Sequence, residues 1–157
     1  LNNDDAHFKE THATVLVPGS KSLSQRALVA AALARNNSLL GNVLVSQDTL
    51  YFIEGLRKLG VKIVSAEEGL FVSGTAGNIT NNGEELFLGN NGTALRFLTA
   101  LTCLGKGKYV LTGEKRLCER PVGALVEALR EMGVDIFCWN NCPPVEINAN
   151  GLTGGKI

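Results

Sequence analysis

The chain has 157 residues, 45% of them hydrophobic and 19% charged, which is enough for one domain with a real core. Its 15 basic and 15 acidic residues cancel, so overall electrostatics give no support to a nucleic-acid partner, and no apolar stretch approaches the roughly 20 residues that span a bilayer. No signal-peptide pattern opens the chain, so the expected setting is soluble and cytoplasmic, with no membrane partner.

Strand and helix signals then alternate. Residues 13–17, "ATVLV", read as a strand that stops at Pro18-Gly19, and "SLSQRALVAAALA" as an alanine-rich amphipathic helix. "NSLLGNVL" is extended. In "SQDTLYFIEGLRKLG", Ser46 is the expected N-cap, Asp48 lies in the first turn, Leu50, Ile53, Leu56 and Leu59 share a face, and Gly60 stops the helix. Two short strands, "VKIVSA" and "GLFVSG", close the series.

After the polar linker "TNNGEE" the same β-α-β-α-β-β order starts again. "ELFLG" is a strand, "NGTALRFLTALTCLG" a helix and "KYVLTGE" a strand. "RPVGALVEALREMG" is a helix with Pro121 in its first turn and Gly133 at its end, followed by "VDIFCW" and "PPVEINANG". Gly19 falls on Gly89, Arg26 on Arg96, and "LRKLGVKI" on "LREMGVDI", a period of about 70 residues. The fold class is therefore α/β (α+β), with one repeat unit at about 13–76 and a second at about 84–150. The closing "GLTGGKI", 151–157, reads as the start of a third unit, which suggests a fold completed by further chain.

Cys103, Cys118, Cys138 and Cys142 are irregularly spaced in a chain too large to depend on disulfides, so reduced thiols are expected, with Cys103 in the core. "CWNNC" lacks the second ligand pair that a zinc site needs, and neither His7 nor His12 is near it in sequence. No metal is expected.

Two helix entrances are suited to anions. In "GSKSLSQR", Gly19 permits close backbone approach, Ser20 and Ser22 offer hydroxyls, Lys21 adds a charge, and Arg26 lies one turn after Ser22 on the same face. A plain alternative has Ser22 as an N-cap with Lys21 and Arg26 solvated. In "LGNNGTALR", Gly89 and Gly92 permit close approach, Asn90 and Asn91 carry amides, Thr93 a hydroxyl, and Arg96 follows Gly92 by one turn; ordinary turn chemistry with an exposed arginine is the alternative. Lys115, Arg116 and Arg120 form a basic loop. The combination favours a substrate with more than one anionic group. It is neither a Walker A loop nor a dinucleotide fingerprint.

"PGSKSLSQRAL", "LFLGNNGTALRFL", "LTGEKRLCERPVGALVEAL" and "GLTGGKI" resemble, in order, the motifs of the EPSP synthase family, the 3-phosphoshikimate 1-carboxyvinyltransferases. The resemblance runs from Thr14 to Gly155, about the first third of that family's length, and implies two of the three units of one lobe of the enolpyruvyl transferase fold. It implies transfer of the enolpyruvyl group from phosphoenolpyruvate to the 5-hydroxyl of shikimate 3-phosphate on the route to chorismate and aromatic amino acids. No cofactor is implied, and the partner is the C-terminal part of the same protein, whose lobe carries the acid/base groups.

By the same resemblance, Lys21 touches both substrates and is the catalytic candidate, while Ser22 and Arg26 bind shikimate 3-phosphate. Gly92 and Arg120 line the phosphoenolpyruvate site, with Asn90 and Thr93 shaping the turn and Arg96 structural. The chain departs from the family pattern at Gln25, Asn91 and Phe97, and the first two are expected to place larger polar groups beside the site where glyphosate binds in the family. The other readings are an enzyme like UDP-N-acetylglucosamine enolpyruvyl transferase and a non-catalytic anion-binding module.

Overall fold

A computed structural model describes residues 12–153. The first half runs α1 (Lys21–Leu33), β1 (Asn37–Leu40), α2 (Gln47–Lys58), β2 (Lys62–Ala66) and β3 (Gly69–Ser73). The second runs β4 (Leu86–Phe87), α3 (Gly92–Thr102), β5 (Lys106–Thr112), the short α4 (Lys115–Cys118), α5 (Gly123–Glu131), β6 (Asp135–Trp139) and β7 (Cys142–Asn150). The strands form two sheets, ordered β1-β3-β2 and β4-β5-β7-β6. In both, the strand before the second long helix and the hairpin after that helix are joined antiparallel, with the last strand in the middle of the three. β4 adds to the second sheet parallel to β5, with α3 as the crossover.

The likeness of the halves extends to single hydrogen bonds. Arg57 donates through Nη2 to the Ile63 carbonyl at 2.9 Å, and Arg130 does the same to Ile136 at 2.9 Å. Val61 N–H returns to Leu56 O at 3.0 Å, as Val134 N–H does to Leu129 O at 3.1 Å. Between these bonds Gly60 and Gly133 take φ of +86° and +85°, a left-handed turn that glycine enters without a Cβ clash.

The core lies where α1, α2 and α3 pack on one another and on the sheets. Leu28, Phe52, Leu56, Leu95 and Leu98 are fully buried, each worth about 1.5–3 kcal/mol relative to exposure. At Gly55 a Cβ would lie 2.6 Å from Leu98 Cδ1, so the missing side chain sets how closely α3 crosses α2. Cys103 is in this core, and burial pushes its thiol up from 9.0 to about 11, which leaves it a packed, unreactive group. The four cysteines are free. Among the described residues, no helix is long and apolar enough to cross a membrane, and no group of three or more potential metal ligands gathers.

Several sequence expectations need correction. Residues 13–17 form no strand: they pair with no described strand, although β1 keeps a free edge in its sheet, and Val15, Leu16 and Val17 are exposed. The extended segment 37–44 stops at Leu40, after which Asn42 turns left-handed at φ +49°. On α2 the buried face is Phe52, Ile53, Leu56 and Leu59, whereas Leu50 is exposed. Pro121 lies before α5, whose N-cap Val122 donates to the Asn141 carbonyl in the β6–β7 turn. Of the basic loop, Lys115 and Arg116 lie in the short helix α4 and Arg120 follows it. Of the expected third unit, 151–153 carry no regular structure and 154–157 lie outside the described residues.

Candidate functional site

The N-terminal ends of α1, α2 and α3 meet. Each is capped locally for a reason readable in its residues. Ser20 accepts from Leu23 N–H ahead of α1. Ser46 and Thr49 exchange side-chain and backbone bonds in a capping box ahead of α2. Asn91 accepts from Thr93 and Ala94 N–H, at 3.1 and 2.9 Å, ahead of α3. The caps are then tied to one another: Ser24 Oγ on α1 accepts from Leu44 N–H just before α2, and Asn91 Nδ2 donates to the Asp48 carbonyl at 2.8 Å.

These ends enclose an open cavity of about 560 Å³ lined by Lys21 and Arg26 of α1, Asp48 of α2, Asn90 through Thr93 with Arg96 and Phe97 at α3, and Arg120. Four cations face one carboxylate. Lys21 Nζ donates to Asp48 Oδ2 at 2.8 Å, with the two side chains 50% and 32% exposed, so solvent screens the pair and an incoming anion can compete for the lysine. Arg26 Nη1 donates to Ser22 O at 3.1 Å and also to Ser22 Oγ, and its guanidinium carbon sits 5.6 Å from the centre of the Phe97 ring.

Arg96 and Arg120 differ. Arg96 donates through Nη1 to Gly92 O and through Nη2 to Pro121 O, both at 2.9 Å, which binds α3 to the segment before α5. Among the described residues, the Arg120 guanidinium has no hydrogen-bond or ion-pair partner. Both reach over Gly92: a Cβ there would lie 3.0 Å from Arg120 Nη1 and 3.3 Å from Arg96 Nη1. Gly92 thus keeps two guanidinium groups near the start of α3, where the helix dipole alone would repel them.

The structure brings Lys21, Arg26, Asn90, Gly92, Thr93 and Arg120 to one cavity, while Ser22 lies outside its lining and reaches it through Arg26. Three local expectations change. Helix α1 starts at Lys21, so its cap is Ser20 and not Ser22. Gly19 is approached by its own chain, since a Cβ there would lie 2.0 Å from Asn42 O. Asn91 spends its amide on capping and on Asp48, so much of the donor potential at the α3 entrance is already used. Of the two departures, Asn91 does line the cavity, with its side chain tied back to the start of α3 and to Asp48, whereas Gln25 is fully buried outside the cavity lining and does not crowd it as expected. Both Gln25 amide atoms and Asn90 Oδ1 are buried without a partner among the described residues.

Asp48 and Phe97 are the cavity residues that the sequence did not assign to it. Asp48 was legible only as an acid in a first helical turn, and the pairing with Lys21 spans 27 positions, beyond any local spacing signal.

The family profile described as EPSP synthase (3-phosphoshikimate 1-carboxyvinyltransferase) matches residues 7–157. A 3-phosphoshikimate 1-carboxyvinyltransferase of Vibrio vulnificus is 49% identical over 159 residues, covering 96% of this chain and 36% of the relative; one of Marinomonas sp. is 45% identical over 154 residues, with the same coverage. A solved EPSP synthase structure from Acinetobacter baumannii superimposes with TM-score 0.82 at 28% identity, covering 91% of this chain and 34% of that one. The chain thus spans about a third of the length of the relatives it matches. On the strength of a profile that matches almost its whole length, this chain belongs to the EPSP synthase (3-phosphoshikimate 1-carboxyvinyltransferase) family.

Proposed function

We propose that this chain supplies the cationic part of the substrate site of an enzyme that transfers the enolpyruvyl group from phosphoenolpyruvate to the 5-hydroxyl of shikimate 3-phosphate, releasing phosphate, in the cytoplasm. The two repeat units, about 13–76 and 84–150, belong in this reading to one lobe, and the rest of the protein is the partner that completes the cleft. Each substrate carries a phosphate and a carboxylate. Lys21 bridges the two substrates, Arg26 and Ser22 hold shikimate 3-phosphate, and Arg120 with the Asn90–Gly92–Thr93 turn holds phosphoenolpyruvate. The chemistry asks for a base at the 5-hydroxyl, a proton for the methylene carbon and charge to receive the departing phosphate. The residues here meet the last need, with Lys21 placed to share in proton transfer.

The observation that carries the reading is convergence: cations from α1, α3 and the segment before α5, as far apart in sequence as Lys21 and Arg120, line one cavity with a single carboxylate. The test is titration of the full-length protein with each substrate. Lys21→Ala should weaken both, each by about 10-fold or more, the scale of one charge-assisted hydrogen bond. Equal affinity of wild type and Lys21→Ala for shikimate 3-phosphate would remove Lys21 from the site.

A further inference from the structure

A guanidinium group binds an oxyanion through its edge and an aromatic ring through its face, so one arginine can do both at once. Arg26 has an aromatic ring within cation–π range and donors left over. It is exposed on α1, and a free arginine there would sample many rotamers. Its Nη1 is held by Ser22 O and Ser22 Oγ, and its guanidinium carbon lies over the Phe97 ring, 5.6 Å from the ring centre. Among the described residues, Nε and Nη2 have no partner, which leaves one edge of the fork open.

The ring beneath is itself held. Phe97 is half-buried on α3 and lines the same cavity, and it meets the fully buried Phe52 of α2 edge to face, with centroids 6.4 Å apart and planes at 77°. A line of contacts therefore runs from the core, Phe52, through Phe97 to Arg26, and each member sits on a different helix. The relative placement of α1 and α3 therefore helps to set where the Arg26 guanidinium sits.

We propose that Phe97 is a positioning residue that presents the Nε–Nη2 edge of Arg26 to a phosphate or carboxylate of the substrate. This rests on the assignment of Arg26 to shikimate 3-phosphate. The ring takes none of the arginine's N–H donors, so it fixes the fork without competing with the ligand. It also limits the entropy lost when the anion is gripped by both donors.

The experiment uses the full-length protein and compares Phe97→Leu, Phe97→Tyr, Arg26→Ala and the Phe97→Leu/Arg26→Ala double variant by steady-state kinetics and thermal denaturation. Phe97→Leu keeps an apolar side chain but removes the aromatic face. It should raise the half-saturating concentration of shikimate 3-phosphate about 3- to 10-fold, with a smaller change for phosphoenolpyruvate. Phe97→Tyr should restore the wild-type value, and in the Arg26→Ala background Phe97→Leu should add nothing. A Phe97→Leu penalty equal for both substrates, or one that persists without Arg26, would show a packing role only and overturn the proposal, as would Arg26→Ala weakening shikimate 3-phosphate while Phe97→Leu leaves it intact. If Arg26→Ala itself has no effect on shikimate 3-phosphate, the assignment of Arg26 falls first and the role of Phe97 falls with it.

Discussion

Arg96 and Arg120 show how two identical side chains beside one glycine acquire different roles. Arg96 has committed two of its nitrogens to the Gly92 and Pro121 carbonyls, while Arg120 keeps its donors for something else. Arg120→Lys should therefore raise the phosphoenolpyruvate requirement of the full-length protein about 10-fold or more, because a lysine cannot reproduce a two-pronged grip. Arg96→Lys should act chiefly on stability, since it cannot keep both bonds that tie the Gly92 carbonyl of α3 to the Pro121 carbonyl. Steady-state kinetics beside thermal denaturation of the two variants separates the effects. If Arg96→Lys is the more damaging to the phosphoenolpyruvate requirement, the roles are reversed.

At the scale of the element, the site depends on how three helix entrances are pinned together. Asn91 caps α3 and holds the Asp48 main chain, and Asp48 in turn holds Lys21. Asn91→Ala removes the cap and the tie from α3 to the Asp48 carbonyl, so it should cost about 0.5–2 kcal/mol of stability. A lowered melting temperature of the full-length protein checks this, and an unchanged one would show that the cap does not hold α3. What was legible here is what lies close in sequence. The Ser46 cap, the stop at Gly60, the matched "LRKLGVKI" and "LREMGVDI" turns and the one-turn spacing of Ser22 and Arg26 are all local rules that the structure keeps. What was not legible needs a partner distant in sequence. Residues 13–17 have the composition of a strand but pair with no described strand, Leu50 fits the apolar spacing but faces outward, and the Asp48 and Phe97 contacts arise only once α1, α2 and α3 have packed.

For the whole molecule, the cavity is open and is lined by four cations and one carboxylate, a charge balance that suits it to positioning anions. Val15, Leu16, Val17, Val45 and Leu50 are exposed apolar residues that further chain could cover. The chain spans about a third of the length of its relatives, and in the function proposed above it positions the substrates' anionic groups while the rest of the protein completes the cleft. The most direct test is release of phosphate from phosphoenolpyruvate plus shikimate 3-phosphate. This chain alone should give the background rate, and turnover should appear when the rest of the protein is supplied and only when both substrates are present. Turnover by these 157 residues alone at about 1 per second or more, a rate typical of enzymes, would contradict the account, as would no turnover once the full length is restored.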